Sequence, residues 1–398
     1  MKKLAILFLI AVTATTLNQC SQRENPVDPE IPQGNFWDLT FASQAVSDDI
    51  MQDPPGREVL VYTPPGYDQS DSTTTYPVLY LLHGFGGDQN YFRALFGLQA
   101  VMDEMIYSGE IEPMIVVTPD ASNALGGSFY TNSYAPSDSS QSYAGRMQDF
   151  VTDEVVALID SIFHTTADRD HRGIAGHSMG GYGAIKLAML RSDLFSSAAS
   201  MSGPLAFWGD YNPADPGSAT FLGLLEFLPT VFAENGFTPD DTAAYYAIAQ
   251  GQGKSLTNMM FAMASAFSPH LLSDPDTAYS HFFTGSTGFV GKIDLPFGAD
   301  GEVADSIWNL WMAHDVTTLF VMGYGPALAN TPVYIDCGAA DDLGLYGQAQ
   351  VFFAVAGDIV TQFEIYPGFE DLYSPDHSTY VSERLKEVIK FHDDSFNQ

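Results

Sequence analysis

Cysteine is nearly absent from this chain: among 398 residues only Cys20 and Cys337 occur. Two cysteines close at most one bridge, so the fold cannot rest on a disulfide framework, and Cys337, at the end of an apolar run, reads as a buried thiol. Basic residues are scarce as well. Lys and Arg number 15 against 49 Asp and Glu, a formal charge of -34, which repels phosphate backbones, anionic membranes and polyanionic substrates and argues against nucleic acid as a partner. Metal-ligand spacing is also missing. Asp168, Asp170 and His171 could be drawn as a cluster, but they fall in the connection leading into a strand, at the end of the sheet away from the motifs below. The apolar stretch Leu4 to Val12, behind Met1-Lys2-Lys3, is too short to span a bilayer and reads as part of an export signal over residues 1–19.

What the chain does have is apolar residues, 45% of the total with 13% aromatic, ample for a large core. They fall into alternating strand-like and helical runs. Asn35 to Phe41 and Arg57 to Thr63 read as leading strands, followed by strands at Tyr76 to Leu82, Met114 to Thr118, Arg172 to Ala175, Ser197 to Ser202, Pro332 to Asp336 and Phe363 to Tyr366. Between them, Leu98, Val101, Met102 and Met105 mark one helix, and Val151, Val155, Leu158 and Ile162 another. Helices around Gln348 to Val355 and through Val381, Leu385 and Val388 complete the series. This alternation predicts an α/β fold: a mostly parallel sheet with helices on both faces, begun by antiparallel edge strands.

The most informative string is Gly176-His177-Ser178-Met179-Gly180-Gly181, set between a strand and a helix. A serine hydroxyl becomes a useful nucleophile when a sharp strand-to-helix turn exposes it to a base and to backbone N–H groups, and glycines permit that turn. Ser178 is therefore the candidate nucleophile. Upstream, the Tyr76 strand empties into His83-Gly84-Phe85-Gly86-Gly87, where a second oxyanion donor belongs; His83 itself reads as structural, and His177 as packing. Downstream come Asp336, Asp341 and Asp342, then His377, in the chain order Ser, Asp, His that this kind of hydrolase uses. Asp341 is the candidate acid, because Asp336 is still within the strand; Asp342 is the runner-up. His377 is the candidate base.

Two long segments interrupt the pattern. Ala121 to Ala144 is a Gly/Ser/Tyr-rich loop. Residues 204–330 form an insertion far longer than a crossover needs, with apolar runs at Phe221 to Leu228, Met259 to Met263, Phe282-Phe283 and Trp308 to Met312; these fit amphipathic helices forming a cap over the carboxyl edge of the sheet, a few of whose side chains line an acyl pocket. Before residue 35, Leu17-Asn18-Gln19-Cys20 and the polar stretch after it resemble a bacterial lipoprotein start, with Cys20 as lipid anchor on a flexible tether of residues 20–34. Gln19 is larger than the residue usual before a lipidated cysteine, so cleavage and secretion is the alternative.

Taken together, Tyr62-Thr63-Pro64-Pro65-Gly66-Tyr67, Tyr76 to Gly84, Gly176 to Gly181, Asp336 to Asp341 and Asp376-His377-Ser378 resemble the esterase family that includes esterase D, feruloyl esterases and the mycolyltransferases, a branch of the α/β-hydrolase fold. The resemblance runs through most of residues 35–203 and from 331 to the C-terminus, and is thin in the insertion. It implies a catalytic domain over residues 35–398 that hydrolyses carboxylic esters through an acyl-enzyme, with Ser178, Asp341 and His377 as triad and the backbone N–H groups of Phe85 and Met179 as oxyanion hole. No cofactor or metal is needed. A small-molecule or polysaccharide-linked ester, such as a feruloyl or acetyl ester, is the implied substrate. Acyl transfer onto a sugar is the alternative among enzymes. A non-catalytic surface binding protein on a hydrolase fold is the alternative outside them, and would be expected to have a broken triad.

Overall fold

The computed structural model describes residues 31–207, 227–238, 241–285, 288–367 and 376–398. The export signal, Cys20 and the tether up to residue 30 lie outside these residues, as does most of the run Phe221 to Leu228. Among the described residues, no helix is long and apolar enough to cross a membrane.

The chain opens with β1 (Asn35–Ala42), β2 (Gly56–Thr63) and β3 (Val78–Leu82), then α1 (Tyr91–Phe96), α2 (Leu98–Ser108) and β4 (Ile115–Pro119). A composite helix follows, α3 (Met147–Asp149), a π-turn over Phe150–Val155 and α4 (Val156–Ile162), and leads to β5 (Arg172–His177), α5 (Met179–Leu190) and β6 (Ser197–Met201). Much later come β10 (Val333–Gly338), α11 (Leu345–Ala356), β11 (Val360–Tyr366) and α12 (Val381–Phe396). These eight strands form one sheet in the order β1-β2-β4-β3-β5-β6-β10-β11. β2 joins β1 and β4 antiparallel, and every later pairing is parallel.

Side-chain alternation divides the core. In β3, Val78, Tyr80 and Leu82 join the cluster containing Val151, Val155 and the α5 residues Ala184, Ile185 and Leu187. Leu79 and Leu81 point the other way, into α2 and α12 through Met102, Met105, Leu385 and Val388. Both faces of β3 and β5 are covered, which explains their uninterrupted burial.

The structure corrects the helical reading of two segments. Before the elbow, the spacing predicts a buried stripe at Val151, Val155, Leu158 and Ile162, but Val156 and Ile159 are buried while Ile162 is exposed. The π-turn inserts one residue into the helical repeat and rotates the buried face beyond it. Within residues 204–330 the chain forms α6 (Leu228–Glu234), α7 (Thr242–Tyr245), α8 (Ser255–Phe267), α9 (Asp305–Met312) and α10 (Val316–Leu319), but also a small antiparallel sheet. Its strands are β7 (Pro269–His270), β8 (Ser280–Thr284) and β9 (Val290–Asp294), in the order β7-β9-β8. Phe282-Phe283 lies in β8 rather than a helix, and follows period two: Phe283 is 5% exposed and Phe282 50%. The insertion is thus mixed α and β. Met259 to Met263 and Trp308 to Met312 do lie in helices, α8 and α9.

Helix α5 is buried along nearly its whole length, including Lys186, whose Nζ donates to Thr131 Oγ1 at 2.5 Å and to the Tyr182 hydroxyl at 3.0 Å. Burial pushes the Lys186 ammonium down to about 7. In the unfolded chain an ammonium keeps its proton to about pH 10.4, so between these values the unfolded state binds more protons and stability rises with pH. Thr131 and the Tyr182 hydroxyl each donate elsewhere, to the Phe129 and His314 carbonyls, so an apolar replacement orphans neither donor. Lys186→Met is therefore expected to be more stable than wild type by about 2 kcal/mol at pH 7, the gain shrinking toward pH 10. Urea midpoints at pH 7 and pH 9.5 measure this; a loss of stability at both values would contradict it.

Candidate active site

β5 runs at the centre of the sheet and delivers its last residue, His177, to the carboxyl edge, the edge at which open α/β sheets bind ligands. Ser178 follows with φ 57° and ψ -122°, and α5 begins at once with Met179. A positive φ on serine costs about 1–3 kcal/mol and persists where the surroundings fix it. Here the Ser178 N–H donates to the Met201 carbonyl at 2.8 Å. Both flanking glycines are required by close approach. A Cβ on Gly176 would stand 2.3 Å from the Gly180 carbonyl carbon, and one on Gly180 would stand 1.9 Å from the Leu82 oxygen. The G-x-S-x-G spacing is thus set by a helix start crossing within contact distance of its own strand and of β3.

The turn after β3 abuts this elbow. A Cβ on Gly84 would lie 3.4 Å from the Ser178 Cβ, and Phe85 and Met179 line one cleft with Ser178. His83 is buried beneath it. Its Nε2 accepts the Ala121 N–H at 3.1 Å, so Nδ1 carries the hydrogen donated to the Gly84 carbonyl at 2.8 Å. Burial, which outweighs the Gly84 bond and the charge of Asp120, lowers the His83 basicity and favours this neutral form. The Gly86 N–H donates to the Gly126 carbonyl at 2.8 Å, tying the turn to the long loop after β4. That loop is buried at Phe129 and Tyr130 and exposed from Pro136 to Gln141.

At the end of β10 the three candidate acids separate. Asp336, inside the strand, is paired with the buried Arg384 of α12. Asp341 Oδ2 accepts from His377 Nδ1 at 2.9 Å, and its Oδ1 accepts the Leu343 N–H at 2.9 Å. Burial raises its pKa, but the bond and charge of His377 and the N–H groups of Leu343 and Leu345 outweigh it and hold the carboxyl below its ordinary range. Asp342 instead takes the backbone N–H of His377 at 3.2 Å. The structure therefore brings Asp341 against the imidazole and Phe85 and Met179 beside Ser178. Among the described residues no hydrogen bond joins the Ser178 hydroxyl to His377; such contacts commonly tighten only when substrate binds.

Three residues that hold His377 escape sequence reasoning. The Tyr91 hydroxyl donates to His177 Nδ1 at 2.8 Å, and His177 Nε2 donates to the His377 carbonyl at 3.0 Å. The two imidazole rings lie 4.8 Å apart. Burial, with the neighbouring His377 and Arg384, drives the His177 basicity far down, so it stays neutral in this bridge. Arg384 adds bonds to Ser202 Oγ at 2.8 Å and to the His377 and Thr379 carbonyls. One signal for Arg384 was present: it sits among Val381, Leu385 and Val388 on the apolar face of the last helix, where a guanidinium needs a buried carboxylate.

Residues 54–231 match the family model described as "Putative esterase". The chain carries an esterase-family segment on an α/β-hydrolase fold. An esterase of Mycobacterium tuberculosis is 34% identical over 187 residues, 46% of this chain and 36% of that protein. An endo-1,4-beta-xylanase/feruloyl esterase of Xylanibacter ruminicola is 31% identical over 188 residues, 47% of this chain and 23% of that protein. This chain thus spans about a third or less of the length of these curated relatives. Among solved structures, a ferulic acid esterase superposes with a TM-score of 0.54 at 19% identity, covering 92% of this chain and 99% of that one. An S-formylglutathione hydrolase from Agrobacterium tumefaciens gives 0.54 at 18% identity, covering 92% and 96%. At that identity the likeness establishes the fold. The esterase-family segment spans both the turn after β3 and the elbow, while β10, Asp341 and His377 lie beyond it.

Proposed function

We propose that this protein is an exported serine esterase that hydrolyses carboxylic esters through an acyl-enzyme, with residues 204–330 capping the site. The observation that carries the reading is the strained Ser178 elbow, which lines an apolar cleft, together with the hydrogen-bonded Asp341–His377 pair. Asp341 keeps the proton on His377 Nδ1, leaving Nε2 to take the Ser178 proton as Oγ bonds to the ester carbonyl carbon. The carbonyl oxygen, now anionic, is received by the N–H groups of Phe85 and Met179, each worth about 3–4 kcal/mol in the transition state. Collapse expels the alcohol, which takes the proton from His377. Water then attacks the acyl carbon with His377 again as base, releasing the carboxylic acid and restoring Ser178.

The relatives' names favour esters as substrates and make acyl groups on plant polysaccharide one class to assay. Export, by cleavage or by lipidation of Cys20, rests on the N-terminal sequence. The test is covalent: a fluorophosphonate probe is expected to label Ser178, located by peptide mass, in a sample that also turns over p-nitrophenyl esters. Labelling elsewhere, or turnover that survives complete labelling of Ser178, would remove the assignment.

A further inference from the structure

Ten described residues line the cleft at Ser178, and nine of them are apolar, the tenth being Ser178 itself. Its enclosed space is about 20 Å³, room for about one water, and reaches about 360 Å³ only with the open solvent at its mouth, so an acyl chain seats by moving flexible side chains of the wall. Two of its walls come from outside the esterase-family segment. Met259 and Met263, one turn apart on the same face of α8, form one, and Leu343 and Leu345, beside Asp341, form the other. Methionine side chains are flexible and polarizable, suited to a partner that is itself flexible and apolar.

We infer that the acyl subsite takes an unsubstituted aliphatic chain rather than a hydroxycinnamoyl group, with Met259 and Met263 setting the chain length. The inference rests on the esterase reading and narrows it. Each methylene seated against these side chains gains burial with no polar cost. A feruloyl ring can pack on Phe85 or Phe129, but its phenol hydroxyl would enter a cleft whose described lining offers no side-chain partner except the nucleophile, and an unpartnered buried hydroxyl is penalised. A hydrophobic pocket rejects such a group by a factor of up to about a hundred. The acyl preference is accordingly expected to differ from that named for the feruloyl esterase relative, because residues beyond the shared segment build the wall.

The test measures kcat/KM with the full chain for p-nitrophenyl acetate, butyrate, hexanoate, octanoate and decanoate, and for p-nitrophenyl ferulate and cinnamate. Hexanoate is expected to exceed both acetate and ferulate by about ten- to a hundredfold, and cinnamate to exceed ferulate. Ferulate equal to or better than hexanoate, or acetate best of the series, would overturn the inference while leaving the esterase reading intact. Met259→Phe, at a half-buried position, is expected to lower the octanoate-to-butyrate ratio by about tenfold; an unchanged ratio in a folded variant would overturn the role of α8. Absence of turnover on every ester together with absence of fluorophosphonate labelling would overturn the esterase reading, and the inference with it.

Discussion

Ser178→Ala is expected to lower kcat for ester hydrolysis by about 10⁴-fold or more while the protein folds as before. The size follows from the covalent path. Without Oγ no acyl-enzyme forms, and what remains is water held near polarising N–H groups, the residual route of serine hydrolases stripped of their nucleophile. The fold is expected to survive because the elbow is held by main chain, through the Ser178 N–H to the Met201 carbonyl and the close crossing of Gly176 and Gly180. Alanine at φ 57° bears the same backbone strain as serine. The measurements are turnover of the best p-nitrophenyl ester and the unfolding midpoint. A pure variant with near-normal turnover would end the claim that Ser178 is the nucleophile.

Asp341→Asn is expected to cost about 10³- to 10⁴-fold in kcat with little change in fold, by a mechanism legible in the hydrogen bonds. The carboxylate accepts on both oxygens, Oδ1 from the Leu343 N–H and Oδ2 from His377 Nδ1. An asparagine keeps its oxygen on the backbone N–H and turns its NH2 toward the imidazole. Nδ1 must then accept, the ring proton moves to Nε2, and the nitrogen facing the substrate can no longer take a proton from serine. Asp342→Asn keeps an oxygen that can still accept the His377 backbone N–H, leaves the imidazole untouched, and is expected to lose far less. A larger loss at Asp342 than at Asp341 would exchange their roles. Because the Asp341 carboxyl is held below its ordinary range, it stays charged through mild acid. Its contribution to stability is present above the ordinary carboxylate pKa and lost only as pH falls through the lowered one.

The strands and the elbow were legible because their signals are local. β3 is apolar on both faces, and the elbow spells out its close contacts in glycine. The placing of Asp336 inside a strand and Asp341 past its end was legible for a different reason: it needed only the count of residues to the strand end, and β10 closes at Gly338. The misread segments depend on information a linear pattern does not hold. The π-turn at Phe150–Val155 shifts a helical face by one residue, and no residue type in Phe-Val-Thr-Asp-Glu-Val announces it. Phe282-Phe283 is two adjacent aromatics, consistent with a helix edge or with a strand until β9 is known to pair beside it. His177 and Tyr91 gain their roles only when a loop 200 residues later places a carbonyl above them.

That last contact bears on when the proposed catalytic groups come together. The elbow belongs to the first half of the chain, whereas the imidazole that would serve it sits just ahead of α12, and Arg384 on that helix braces its carbonyl against Asp336 and Ser202. A chain still being synthesised, or one cut short before His377, is expected to lack the imidazole that the proposed mechanism needs. On the proposed mechanism, hydrolysis waits on the docking of the final helix, and a copy that lacks it is expected to leave esters intact.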